Sequence, residues 1–339
     1  MKKVRVLALV HDHLVPPEDT TGIDILEADW KMEYDVIETL REIGHEVRVF
    51  GTHDDLSGIR LAAEDFQPHI VFNLMEAFAG VTTFDQNVVS YLELLRLSYT
   101  GCNPRGLILA RDKALSKKLL AYHRLPVPDF SVVRPGRKPV LSQRLQFPMI
   151  VKSLFFEASA GISQASVVEN TEQLAKRVHF IHENLGTAAI VERFVDGREL
   201  YVGVIGNERL ETLPAWEMSF DKMPDNRWRI ATERVKWSTQ YQKRHGIMTD
   251  KAKLDDALAE KIQRIARRAY RALDLNGYAR IDFRLDDEGR PFVLEANPNP
   301  NLAYGEDFAE SAEIYGLSYE RLLDRILTLG LRWEPERTG

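Results

Sequence analysis

Two carboxylates, an amide and an arginine alternate along one short stretch, Gly277 to Leu302, which reads GYARIDFRLDDEGRPFVLEANPNPNL. Tyr278 to Leu285 has the period of a strand, and Arg290 to Asn297 has it again. Asp286-Asp287-Glu288-Gly289 between them is turn chemistry. A four-residue turn would set Leu285 opposite Arg290, Arg280 opposite Glu295 and Asp282 opposite Val293. Residues opposite each other, and residues two apart, share a face. Arg280, Asp282, Glu295 and Asn297 therefore project from one side. Ala279, Ile281, Phe283, Leu285, Phe292, Leu294 and Ala296 form the other, a core face. Two carboxylates and an amide oxygen are hard ligands, and magnesium takes one or two carboxylates together with substrate phosphates. The plain alternative is a solvated face with a cross-strand ion pair. The rigid run Asn297-Pro298-Asn299-Pro300-Asn301 weighs against it, because it builds a loop just past the last ligand candidate.

Anion-binding residues lie upstream. Phe147-Pro148-Met149-Ile150-Val151-Lys152 is an apolar strand ending in lysine, and a lysine leaving a core needs an anionic partner. Ser153 to Gly161 follows with small residues whose backbone amides could wrap a phosphate. Ala110 to Lys117 reads as a basic helix start carrying Lys113. Ala188 to Phe194 and then Val195 to Val204 read as strand, turn, strand, with Glu199 in the second strand.

These four segments, in this order, resemble the ATP-grasp superfamily, and in particular the D-alanine–D-alanine ligase group. The shared pieces are Asp-Lys-x-x-x-Lys, a strand ending in Lys152, Val-Glu-x-x-x-x-Gly-Arg-Glu, and the hairpin from Arg280 to Asn297. The resemblance covers residues 100 to 330. It implies ATP as substrate and magnesium, two ions, with Mn2+ as an alternative, on Asp282, Glu295 and Asn297. It implies that Lys113, Lys152 and Lys236 meet ATP phosphates. The linker Glu192, Arg193, Phe194 and Val195 would read the adenine, Glu199 the ribose, and Leu294 would join the ATP site. Arg280, Lys236 and Ser159 would be the catalytic set. The activity implied is an ATP-dependent carboxylate–amine ligation through an acyl phosphate, with a small amino acid or peptide acid and an amine as partners. A D-alanine–D-alanine ligase proper and a non-catalytic ATP-binding module are the alternatives.

The departures fall on the substrate side. Counted from Lys152, the family's Glu-Gly-Ser-Ser loop places Ala158 at its first serine and Ser159 at its second. Trp237 replaces the tyrosine after the phosphate lysine. The Gly-x-x-Ser-x-Glu segment is absent from Leu9 to Thr21. Glu306 and Asp307 stand near the position where the dipeptide ligases hold a carboxylate.

The elements upstream and around these groups must position them. Val4 to Val10, Glu46 to Phe50 and Ile70 to Leu74 are short apolar strands. Leu26, Trp30, Tyr34, Ile37 and Leu40 recur at helical spacing, with Gly44 where such a helix would end. This β–α alternation predicts an open parallel sheet with ligands at its carboxyl ends. The expected fold class is α/β, turning α+β in the ATP-grasp part, with domains at 1–102, 103–195 and 196–339. Asp255 to Leu273 is an amphipathic helix, and Tyr319 to Leu329 closes the chain. His11 and His13, with no third histidine nearby in sequence, read as ordinary loop residues.

The chain has 339 residues and a formal net charge of −6, enough for two or three domains and no basic block for nucleic acid. Its single cysteine, Cys102, excludes an internal disulfide and suits a reducing compartment. The apolar start breaks at His11-Asp12-His13, too short for a leader or a membrane span. A cytoplasmic protein is expected, and a homodimer stays open.

Overall fold

A computed structural model describes residues 2–139, 141, 143–156 and 159–335, with the side chain of Trp237 outside that set. Ala158 in the small-residue loop also lies outside the described residues, as does the Trp237 ring. Three sheets carry the described chain. The first joins β1 (Arg5–His11), β2 (Glu46–Thr52) and β3 (Ile70–Asn73) in parallel, with β1 in the middle. β1 is buried almost throughout, which is why it reads as an unbroken apolar run. The helix after it spans Lys31–Glu42, later than the apolar spacing from Leu26 predicts. Asp24 accepts the Leu26 N–H and caps a single 3-10 turn, so the chain bends before the helix begins. Gly44 follows its end with φ of +94°.

The second sheet is antiparallel. It holds β4 (Phe130–Val133), β5 (Met149–Ser153), β6 (Val167–Val168) and β7 (Ala189–Arg193), in the order β4-β7-β5-β6. The third holds β8 (Arg198–Ile205), β9 (Glu211–Thr212), β10 (Trp216–Phe220), β11 (Ile247–Lys251), β12 (Tyr278–Leu285) and β13 (Pro291–Pro298). Its path is β11-β10-β8-β12-β13, with β9 beside β8. An open parallel sheet followed by two α+β units is the class expected from the sequence. β7 and β8 are consecutive but do not pair. They belong to different sheets, so residues 194–197 cross between sheets rather than turn a hairpin.

The helix Asp256–Ala272 lays Ile262, Ile265, Ala266 and Ala269 against Ala279, Ile281 and Phe283 of β12. The last helix, Tyr319–Arg332, returns to the first sheet and packs Leu322, Leu323 and Ile326 in one core with Val6, Val10 and Phe72. Cys102 is buried, and burial pushes its thiol up to about 12, so it is packing rather than a nucleophile. No described helix is long and apolar enough to cross a membrane.

The central hairpin differs in register from the four-residue turn read in the sequence. Leu285 faces Pro291, not Arg290, so the connection is one residue longer. Asp286 explains this: its carboxylate accepts the backbone N–H of both Glu288 and Arg290 and holds Arg290 inside the turn. Unaltered, that extra residue would swing Glu295 into the core. A bulge compensates. The pairing shifts after Asp282, so Phe283 faces Val293 while Asp282 faces Glu295 and Arg280 faces Asn297. Leu294 is the extra residue, and Leu294 and Glu295 are successive half-buried positions. Phe292 and Leu294 therefore leave the core face assigned to them, and Val293 takes their place. The four polar residues keep their common face by a route that strand alternation does not reveal.

The hairpin is also pinned at its open end. Gly277 has φ of +71°, and a Cβ there would lie 2.7 Å from the Gly101 carbonyl oxygen. Asn299 accepts the Cys102 N–H at 2.8 Å, and Asn276 accepts the Asn103 N–H at 2.6 Å. The boundary segment after the first sheet is thereby fastened to both strands that carry the polar face.

Candidate active site

A cleft of about 710 Å³ opens between the second and third sheets. Lys113, Lys152, Glu192, Arg193, Phe194, Val195, Glu199, Lys236, Asp282, Leu294, Glu295 and Ser159 all line it. Arg280 and Asn297 do not line it directly. They stand behind Asp282, which accepts from Nε and Nη2 of Arg280 at 2.8 and 2.9 Å and from the Asn297 amide N–H at 3.0 Å.

Lys113, Lys117 and Lys152 each have a structural reason to be where they are. Asp112 caps the helix Lys113–Tyr122 by accepting the Ala114 and Leu115 N–H groups, which fixes Lys113 at its first position. Lys113 donates to the Phe156 carbonyl at 2.8 Å and lies 3.7 Å from Glu295. Lys117, one turn on and 1% exposed, donates to the Leu294 carbonyl and lies 3.3 Å from Glu192. Lys152 reaches the other oxygen of Glu192, also at 3.3 Å. The anionic partner that Lys152 needed is thus Glu192, a side chain the sequence assigned to the adenine linker. Tyr201 and Arg284 hold Glu199 at 2.8 and 3.0 Å.

The field in the cleft is cationic around its acids. Burial would raise Glu295, but Lys113, Lys152, Lys236 and Lys117 outweigh it and hold the carboxyl down at about 2. Burial also disfavours the charge on Lys152, and Glu192, then Glu295, reverse that and hold it above its ordinary value. Lys113 and Lys117 stay below theirs, because burial dominates. Burial works against Arg280 too, yet Asp282 holds it well above the usual arginine value.

The donor set fits a hard divalent cation. Asp282 and Glu295 face each other across the hairpin. Burial pushes Asp282 upward against the pull of Arg280, and Glu295 adds to the push, a repulsion that a bound cation would relieve. Asn297 gives its N–H to Asp282 and leaves its amide oxygen as the acceptor end.

Sequence reasoning gave no role to Lys117, the second lysine of Asp-Lys-x-x-x-Lys, or to Arg284, Ile150, Phe156, Ile162 and Ile230. Lys117 stands four residues after Lys113, and Arg284 two after Asp282, so helix and strand periods place both beside residues already singled out. Arg284 donates to the Gly197 and Arg229 carbonyls at 2.8 and 2.5 Å and so fastens the crossing between the sheets. Ile150, Ile162, Ile230 and Phe194 share one apolar cluster, a wall for a flat ring; isolated isoleucines in separate segments carry no such signal in sequence.

Residues 119–328 match the family model described as D-ala D-ala ligase C-terminus. An uncharacterized protein, y4sG, of Sinorhizobium fredii is 32% identical over 305 residues, 88% of this chain and 86% of that one. The D-alanine–D-alanine ligase of Desulfotalea psychrophila is 30% identical over 283 residues, 83% and 84% of the two chains. The crystal structure of D-alanine–D-alanine ligase from Bacillus anthracis complexed with ATP matches with a TM-score of 0.74 at 20% identity, covering 97% of this chain and 98% of that one.

Proposed function

Since the chain belongs to the D-ala D-ala ligase C-terminus family, we propose that it is an ATP-dependent ligase that joins a small carboxylic acid to an amine. The observation that carries this reading is the pairing of three lysines with Asp282 and Glu295 in one cleft, with Asn297 behind Asp282 on the same strand face. Phosphoryl transfer asks for positioned positive charge around the transferred group. Lys113, Lys152 and Lys236 supply it, and the apolar wall beside Phe194 suits the adenine. Asp282, Glu295 and Asn297 would hold magnesium, which when bound neutralises phosphate oxygens.

In this reading the substrate carboxylate attacks the γ-phosphorus of ATP, the bond to the β-phosphate oxygen breaks, and ADP leaves. An amine nitrogen then attacks the acyl carbon, loses a proton, and inorganic phosphate departs. Arg280 stays cationic throughout and would stabilise the oxyanion on that carbon. Ser159 lines the same cleft and would donate to the reacting phosphoryl group. Glu199, already bound by Tyr201 and Arg284, keeps a lone-pair site for a ribose hydroxyl. A reducing, cytoplasmic setting suits the buried thiol.

The acceptor is proposed to be neutral or cationic at its recognised end, unlike the carboxylate of D-alanine. Glu306 caps the helix Asp307–Tyr315 without a side-chain hydrogen bond to it. Burial and then Asp307 hold Glu306 above its ordinary value, while Lys31 and Arg280 oppose them. That acidic pair repels a free carboxylate by on the order of 1 kcal/mol per contact at solvent dielectric and attracts an amine. The test is ADP release with magnesium, ATP and a panel of carboxylic acids and amines. Release that needs both an acid and an amine supports the ligase. Release that ignores both would replace it with a nucleotide-hydrolysing or regulatory module.

A further inference from the structure

The carboxyl end of the first sheet gathers a second set of metal-ligand groups, far in sequence from the hairpin. β1 and β2 pair in parallel with His11 opposite Thr52. The next residue on each strand is therefore Asp12 and His53, and they come together as neighbours. Close approach is permitted at Gly51, where a Cβ would lie 2.4 Å from Val15 and 3.0 Å from the Asp12 Cα. A 3-10 turn, Asp12–Leu14, then folds His13 back. The ligand atoms of His11, Asp12 and His13 all lie within 4.8 Å of one another. His53 adds a fourth group, its Nδ1 4.0 Å from an Asp12 oxygen and its ring centroid 6.3 Å from that of His11. The third histidine absent from the local sequence is supplied by the neighbouring strand.

His11 has the surroundings of a ligand. It is 7% exposed, and its Nδ1 is buried without a hydrogen-bond partner. A buried ring nitrogen without a partner is a lone pair left for a ligand.

We propose that His11, Asp12, His13 and His53 form a binding site for a first-row divalent transition ion, with zinc as the reference case. Three imidazoles and one carboxylate suit zinc, cobalt, nickel or copper and disfavour magnesium and calcium, which prefer all-oxygen shells. Zinc–nitrogen bonds of roughly 2.0–2.1 Å put tetrahedral ligands roughly 3.3 Å apart. Asp12, His13 and His53 are exposed, so rotation of their side chains closes the remaining distance without moving the strands. The site lies at the strand ends where open α/β sheets hold small ligands.

The experiment titrates the purified full-length chain with Zn2+ against a chromophoric chelator, in excess Mg2+ and ADP so that the hairpin site is occupied. One zinc per chain is expected. His13→Ala and His53→Ala should each weaken it on the order of tenfold or more, with unchanged thermal unfolding of the metal-free protein. Co2+ added to the wild type should give the intense visible absorption of a tetrahedral site, displaced by Zn2+. Absence of stoichiometric zinc in the wild type would overturn the proposal. So would unchanged affinity in His13→Ala, or a weak octahedral Co2+ spectrum.

Discussion

Glu192→Gln should cost more stability than any surface change in the molecule. Glu192 is 1% exposed and sits between Lys117 and Lys152, 3.3 Å from each. Burial alone would raise its pKa, but the two lysines outweigh burial and hold it down. At an effective dielectric of ~20, each contact contributes ~5 kcal/mol of gross attraction. Most of that offsets the desolvation of three buried charges. The mutant keeps the desolvation cost of both lysines and loses the attraction, leaving the two without the anion between them. Breaking one partner out of such a group typically costs about 3–5 kcal/mol, against a total stability of about 5–15 kcal/mol for an ordinary fold. Urea unfolding followed by circular dichroism measures this directly. MgADP should restore more stability to the mutant than to the wild type, because its phosphates bring anions back to Lys152. A loss below about 1 kcal/mol, within the range of exposed ion pairs, would refute the reasoning, as would an equal MgADP effect on both proteins.

Asp282→Asn and Glu295→Gln should each abolish magnesium-dependent turnover while circular dichroism stays that of the wild type; full activity in both removes them from the metal site. Lys152→Ala should weaken ATP binding in calorimetry far more than binding of the acid or amine substrate. Glu33 is 1% exposed with an unpartnered Oε1, and burial, with Glu76 adding, raises it from 4.5 to about 7. The folded state therefore keeps a proton that the unfolded state releases, so stability is greatest below the unfolded value and falls as pH rises to about 7, where the penalty reaches ~3 kcal/mol. Glu33→Gln should raise the unfolding midpoint above the wild type at about pH 8 and match it near pH 4; a pH-independent difference contradicts the assignment. D-alanine alone, assayed by ADP release, should be a poorer substrate than at least one pair of acid and amine, if the proposed acceptor role of Glu306 and Asp307 holds.

Much of the cleft was legible because its residues recur at strand and helix periods. Glu295 and Asn297 share a face by alternation, with Asp282 brought opposite Glu295 by the bulge, and Lys152 announces itself as a charge closing an apolar strand. The register between β12 and β13 was not legible. It depends on Asp286 capping its own turn and on a bulge at Leu294, and neither alters the apolar pattern. The separation of β7 from β8 into different sheets was equally hidden, since strand, turn, strand describes a hairpin and a crossing alike. The partner of Lys152 and the gathering of His53 beside His11 are long-range results of packing and parallel pairing. No local window contains them.

The central claim is that a substrate carboxylate, not water, receives the γ-phosphoryl group of ATP. Oxygen transfer tests it most directly. The enzyme is incubated with ATP, Mg2+, a panel of amines and carboxylic acids labelled with 18O in the carboxylate, and the released inorganic phosphate is analysed by mass spectrometry. The account predicts one 18O atom per phosphate whenever ADP release depends on the acid. Phosphate released without label, at the same rate with and without the acid, would contradict it.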